Sequence, residues 1–205
     1  MSHMSRPRAF DEEKVLEAAA ACFWARGFAA TSVRDLAGAM GITGASLYNA
    51  YGDKRGVFEA ALYYYWNTGA RARMAAIEAQ TSGLAAIEAF FAAGIERATA
   101  DCERKGCLIV NSALDVAPHD PGLANVIAGY LMEMKSFFVW HIQTAIERGE
   151  CPKPINPHAH AANLLAVHMG LRALSRCYPD RAFLEAAVAP ALAALRNHSD
   201  KEEVA

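Results

Sequence analysis

The sequence has no uncharged apolar run approaching the ~18–20 residues that a membrane-spanning helix requires, so nothing in it predicts a membrane partner. The segment Ser5-Arg6-Pro7-Arg8-Ala9-Phe10-Asp11-Glu12-Glu13 turns acidic where a secretory signal would turn apolar. Charge of one sign is not in excess. Lys and Arg number 20 against 22 Asp and Glu, a net charge of −2, which excludes a protein that coats nucleic acid by bulk electrostatics. Cysteine is sparse. Five, an odd count at irregular spacing, suit reduced thiols in the cytoplasm better than a disulfide framework. The alternating pattern of a half-buried strand is missing, as is any repeat of roughly 20–50 residues. There is no metal-ligand helix motif, phosphate loop or nucleophile elbow. The expectation is therefore a cytoplasmic protein that is not an enzyme and needs no cofactor or metal.

What is abundant is alanine, with 44 residues against 8 prolines and 14 glycines in a chain of 205. Alanine loses no side-chain entropy in a helix, and the 54% hydrophobic and 20% charged composition is that of a folded globular protein. The fold class read from this pattern is all-α, with about nine helices. Val15, Leu16, Ala19 and Phe23 recur at helical spacing, and Gly27 is expected to end that helix as a left-handed C-cap. Thr31 or Ser32 caps a second, short helix, with Asp35 placed to close a capping box on Ser32. Gly41 breaks the chain, Thr43 caps a third helix to about Ala50, and Gly52-Asp53 starts a fourth that runs from Lys54 towards residue 80. Later punctuation falls at Ser82-Gly83, Lys105-Gly106, Pro118 to Pro121, the proline-rich Cys151–Pro157 and Asn156-Pro157. Pro190 is expected to kink or split the last helix.

Two short helices around a glycine turn have helix-turn-helix proportions. Leu36, Ala37, Ile42 and Leu47 fill the angle, leaving Gly44, Ala45, Ser46, Tyr48 and Asn49 on the outer face of the second helix. Small residues there allow close approach to a duplex, while Ser, Tyr and Asn reach phosphates or base edges.

The run Ala29-Ala30-Thr31-Ser32-Val33-Arg34-Asp35-Leu36-Ala37, then Gly41-Ile42-Thr43-Gly44-Ala45-Ser46-Leu47-Tyr48, then Tyr51-Gly52-Asp53-Lys54, resembles the TetR family of bacterial transcriptional regulators over about residues 10–62. That resemblance implies a homodimer with an N-terminal three-helix DNA-binding domain and a C-terminal helical domain for ligand binding and dimerisation. The partners it implies are a double-stranded DNA operator and a small-molecule effector. Residues 1–9 read as a tag remnant and basic arm, 10–56 as the DNA-binding domain, 57–198 as the effector domain and 199–205 as a disordered tail. Carried over residue by residue, Thr31, Ser32, Arg34, Thr43, Gly44, Ser46, Tyr48, Asn49 and Lys54 are the expected DNA contacts. Many members carry Lys or Arg where Gly44 stands and His or Tyr where Ala50 stands. The implied function is a repressor that leaves its operator when a ligand binds.

A weaker resemblance, at Lys105-Gly106-Cys107-Leu108-Ile109-Val110-Asn111, is similar to a segment in one subgroup of that family, some of whose members look like sensors of electrophiles, oxidants or small organic acids. Cys107 falls at a helix N-terminus beside Arg104 and Lys105, which favours the thiolate. An alternative reading is thus a thiol-based repressor that uses Cys107. Another is a helical small-molecule-binding protein or enzyme without DNA affinity. Trp66, Cys107, Asn111, Phe137, Trp140, His141 and His168 are the candidate ligand-binding residues. His158 and His160, two apart on a helix, diverge and are not read as metal ligands. The last two helices carry apolar stripes (Leu164, Val167, Leu171, Leu174; Leu184, Val188, Leu192, Leu195), one face of each to pack on the domain and the other on a partner, and the resemblance implies that these helices form the homodimer interface.

Overall fold

A computed structural model describes residues 11–151 and 155–196 of the chain. Arg6 and Arg8, part of the proline-rich connector and the C-terminal tail lie outside the described residues. Among those residues the regular structure is all helical. Helices α1 (Glu12–Ala30), α2 (Val33–Met40) and α3 (Gly44–Tyr51) form a head. Helix α4 is one rod, α-helical over Lys54–Tyr65, π-helical over Trp66–Arg71 and α-helical again over Ala72–Glu78. The body continues with α5 (Leu84–Thr99), α6 (Leu108–Asp115), α7 (Pro121–Glu147), α8 (Pro157–Leu174) and α9 (Arg181–Arg196). Counted this way, the described residues hold nine helices.

Local chemistry sets most boundaries. Ser32 and Asp35 form the expected reciprocal capping box at α2. Asp53, Asp120 and Asn156 accept backbone N–H groups at the starts of α4, α7 and α8, and Pro121 and Pro157 occupy first-turn positions where a missing N–H costs nothing. One expectation needs correction. Gly27 does break α1, but at φ 79° and ψ 167° rather than in the left-handed helical region, and one further helical turn follows it. The break is a positive-φ kink within α1, not its end. Of the two outcomes open at Pro190, the split does not occur, since α9 runs through it.

The head is built on Phe23, Phe28 and Phe58, whose rings meet at centroid distances of 4.8 to 6.1 Å. Leu36, Leu47 and Val57 are buried with them. In the body α7 packs along α8, and α9 lies across α8 and α5. Three long-range contacts join head to body. Trp24 Nε1–H donates to the Lys105 carbonyl (3.0 Å), the Lys105 ammonium lies 5.6 Å from the Trp24 ring, and the Arg55 guanidinium pairs with Asp120 (2.9 Å).

Where α3 hands over to α4, Gly56 approaches its neighbour so closely that a Cβ there would fall on the Tyr51 carbonyl. Its N–H meanwhile donates to Asp53 Oδ1 (2.8 Å). Glycine to alanine inside a helix normally stabilises by about 1 kcal/mol. Gly56→Ala is expected to do the reverse, lowering the urea midpoint, because α3 and α4 must separate. An unchanged or raised midpoint would show that the junction has slack.

Candidate nucleic-acid interface and internal cavity

The α2–turn–α3 unit is held from inside and leaves one face free. The Ser32 hydroxyl accepts the Asp35 N–H (3.1 Å), and the Asp35 carboxylate accepts the Ser32 hydroxyl (2.6 Å) and N–H (3.0 Å). Those bonds, with the Arg26 guanidinium at 2.9 Å, hold the Asp35 carboxyl below its ordinary range. Gly41 takes the left-handed conformation (φ 65°, ψ 26°), and the Ile42 N–H returns to the Ala37 carbonyl (3.1 Å). Thr43 then caps α3, its hydroxyl oxygen accepting the Ser46 N–H (3.1 Å). With Leu47 fully buried, helical geometry turns Ala45, Tyr48 and Asn49 to the outside. Tyr48 is 53% exposed, high for an aromatic ring without a partner surface.

The expected contact residues do not all have free groups. Thr31 is only 1% exposed, and its hydroxyl donates to the Gly27 carbonyl (2.7 Å). It satisfies the acceptor opened by the kink in α1, so its expected role at a phosphate gives way to a structural one. The hydroxyls of Thr43 and Ser46 lie 2.9 Å apart and share a hydrogen bond. Lys54 donates to the Ala29 carbonyl (3.3 Å) and sits 4.5 Å from the centre of the Phe28 ring, which fixes its stem and leaves two of its three donors. Arg34 is exposed and pairs with no carboxylate among the described residues; Asp35 goes to Arg26 instead. Gly44 would meet nothing within 4 Å if it carried a Cβ, so the fold does not demand glycine there.

In the body, the expected ligand residues separate into three places. Trp66, Cys107 and His168 share a narrow cavity of about 30 Å³ bordered by α4, α5, α6, α7 and α8. The π-helical turn of α4 begins at Trp66; such turns concentrate at functional sites. Trp66 is buried, stacks on Tyr130 at 5.2 Å and donates to Glu133 Oε2 (3.1 Å). Cys107 is half-buried, and the Tyr65 phenol beside it is pushed above its ordinary range by burial and by that thiol.

Asn111 is not on this cavity. Its amide donates to the Lys105 carbonyl (2.8 Å) and accepts from Arg176 (3.4 Å), facing a groove between α1 and α6. Phe137 and Trp140 border a separate depression with Met74 and Glu78. There His141 is fully buried beneath the Trp140 ring (4.5 Å) with neither ring nitrogen hydrogen-bonded, and Glu78 stands 3.8 Å from Nε2. Helical stripes report which residues turn inward, not which of several interior spaces they reach, and that is why the set divides. All five cysteines are free.

Among the residues that sequence reading missed are the three arginines of the cavity, Arg73, Arg97 and Arg172. One signal was present: Arg172 follows Leu171 directly in the apolar pattern of α8. Arg97 lies at the exposed rim, Arg73 is half-buried, and Arg172 is 5% exposed. Burial and the nearby Arg97 charge push the Arg73 guanidinium down to about 10.

A recognition helix projecting from a three-helix head, on an all-helical body with an internal cavity, defines a DNA-binding transcriptional regulator of the helix-turn-helix class. The family model for bacterial regulatory proteins of the tetR family matches residues 15–61, and that for the tetracyclin repressor-like C-terminal domain matches residues 83–191. The HTH-type transcriptional regulator YezE of Bacillus subtilis is 36% identical over 148 residues, spanning 72% of this chain and 76% of its own. The HTH-type transcriptional repressor ComR of Escherichia coli is 29% identical over 161 residues, spanning 78% and 74%. A cysteine mutant of the TetR family regulator CifR, solved with 26-base-pair operator DNA, superposes with a TM-score of 0.81 at 30% identity, over 92% of this chain and 99% of that one. The chain belongs to the TetR family. Among the described residues no helix is long and apolar enough to cross a membrane.

The buried histidines make stability depend on pH. Burial, with the charge of Arg148, lowers His141 to about 4; burial, with Arg172 and Arg73, lowers His168 to about 3. Both values lie below the ordinary 6.5 of an imidazole, so the unfolded chain takes up protons first. Stability is then complete above pH 6.5 and falls as pH drops through 6 and 5, with a slope of up to about 1.4 kcal/mol per unit for each histidine. Urea midpoints at pH 7, 6 and 5 should fall in wild type and fall less in His141→Phe. Identical slopes in the two proteins would rule His141 out as the cause.

Proposed function

We propose that the protein is a homodimeric repressor that holds an operator through two copies of α3 and leaves it when a small molecule fills the cavity around Trp66 and His168. The observation that carries this reading is the continuity of α4. The N-terminal turn of this rod abuts α3 at Gly56, and its C-terminal half supplies Trp66, Ala70 and Arg73 to the cavity. A ligand that reshapes the π-helical turn therefore moves the element on which the recognition helix rests. Such a change needs only a difference in ligand affinity between two arrangements of the rod.

Ser32, Arg34, Thr43, Gly44, Ser46, Tyr48, Asn49 and Lys54 form the DNA surface in this reading. Arg34 and Lys54 meet phosphates, and Tyr48 and Asn49 reach the major groove. The division between DNA-binding and effector domains falls inside α4, near residues 56 and 57. The dimer forms through α8 and α9: of their stripes Leu164, Leu171, Leu184, Val188 and Leu195 are buried within the single chain, while Leu174, Phe183 and, in the intervening turn, Tyr178 are exposed apolar groups that a second copy would cover. Two recognition helices about 34–36 Å apart then read successive major grooves. The protein acts by binding alone, in the cytoplasm, and catalyses no reaction.

Fluorescence anisotropy with the DNA flanking the protein's own gene, against unrelated duplex and over a range of salt, tests this reading. Selective binding is expected, with log K falling linearly in log salt. Arg34→Ala should weaken binding on all sequences and reduce the salt slope by about one. Asn49→Ala should cost about 1–3 kcal/mol and relax preference at one base position. Equal affinity for operator-flanking and unrelated duplex would overturn the reading.

A further inference from the structure

The arginines of this chain fall into groups with different surroundings. Arg26, Arg55, Arg71, Arg148, Arg181 and Arg196 each face a carboxylate within ion-pair distance. The three on the cavity do not. Arg73, Arg97 and Arg172 pair with no acid among the described residues, and no aspartate or glutamate lines the space they share. Arg172 gives N–H donors to the Gly106 and Gly94 carbonyls, which position its guanidinium without neutralising it. Beside it His168, 7% exposed, keeps a buried Nδ1 without a hydrogen-bond partner, its ring 5.0 Å from that of Phe90.

Clustered like charges in a partly buried space repel one another and lose hydration, so they oppose folding unless a compensating charge arrives. The depressed titration of Arg73, caused by burial and by its cationic neighbours, reflects the same repulsion. Three guanidiniums spaced from rim to floor offer forked donors that match carboxylate and phosphate geometry. Much of the remaining wall, including Trp66, Phe90 and Met134, is apolar, which favours a ligand with a hydrophobic body over a fully hydrated inorganic ion.

We propose that this cavity widens from about 30 Å³ to bind an organic oxyanion, a carboxylate or phosphate-ester head on an apolar body, with Arg73, Arg97 and Arg172 around the head and Trp66, Phe90 and Met134 around the body. The proposal deepens the effector reading above and rests on it for its regulatory consequence, but the anion site can be tested without DNA. His168 is neutral in this environment and presents Nδ1 to a polar group of the bound molecule. Arg97 at the mouth meets the anion first.

Calorimetric titration and thermal unfolding of the full-length protein, at constant ionic strength in chloride, would use benzoate and hexanoate, their amides, phenyl phosphate and inorganic phosphate as probes. At least one organic anion is expected to bind tenfold or more tightly than the neutral amides, about the worth of one charge-assisted contact. Phenyl phosphate should exceed inorganic phosphate, and the ranking of carboxylates against phenyl phosphate identifies the head group. Arg73→Met and Arg97→Gln should each weaken the preferred anion about tenfold, and Arg73→Met should raise the melting temperature of the ligand-free protein by removing repulsion. Amides binding as tightly as the anions, or no organic anion binding at millimolar concentration, would overturn the proposal. So would a fall in ligand-free melting temperature in Arg73→Met, since the arginine would then be structural. The same probes added to the operator complex separate the two claims. An anion that binds without releasing DNA refutes the effector role and leaves the anion site standing. A neutral compound that fills the cavity and releases DNA refutes the anion class and leaves the effector role standing.

Discussion

The approach of Gly56 to the Tyr51 carbonyl decides where α4 starts relative to α3, and the rest of the molecule depends on that placement. A side chain at this position would lift the recognition helix away from the rod that supports it. With only hydrogen there, the first turn of α4 can be capped by Asp53 while its next residues, Val57 and Phe58, enter the core of the head. The same rod then continues through a π-helical turn that sets Trp66, Ala70 and Arg73 on the cavity. A close backbone contact and a distant binding space are thus properties of one helix.

Around this rod the head packs on the body through α1 and α6, and polar contacts fix the junction. Arg55 to Asp120 and Trp24 to the Lys105 carbonyl cross the junction, and both partners on the body side lie at helix starts or in the loop before Cys107. Asp120 also caps α7, so the residue that receives the head is fixed by the body's own secondary structure.

The interior carries two kinds of unpaired polar group, with opposite meanings. His141 is enclosed by Phe137 and Trp140, and burial keeps it neutral; it behaves as an aromatic packing element that penalises acid. The Arg73 guanidinium stays charged near neutral pH, since even its lowered value of about 10 lies well above it, and Arg97 and Arg172 stand on the same cavity. A group that can discard its charge settles into a core quietly, whereas a group that cannot creates an electrostatic demand. That difference separates the depression under Trp140 from the cavity at Trp66.

The sequence by itself determined the head and the helical punctuation. Ser32 with Asp35, Gly41, Thr43, Asp53 and Asn156-Pro157 act on the backbone within a few residues of themselves, so their consequences are legible without knowing the fold. The family resemblance covered those of the head for the same reason. What only the tertiary structure decided were relations between distant positions. Thr31 looked like a phosphate contact until the kink at Gly27 was seen to take its hydroxyl. Asn111, Phe137 and His168 all lie on apolar or mixed stripes, yet they face three different spaces, because a stripe fixes the inward direction of a helix and not its neighbour across the core. Arg73, Arg97 and Arg172 come from three helices separated by dozens of residues; no local pattern brings them together, and only packing makes them one site.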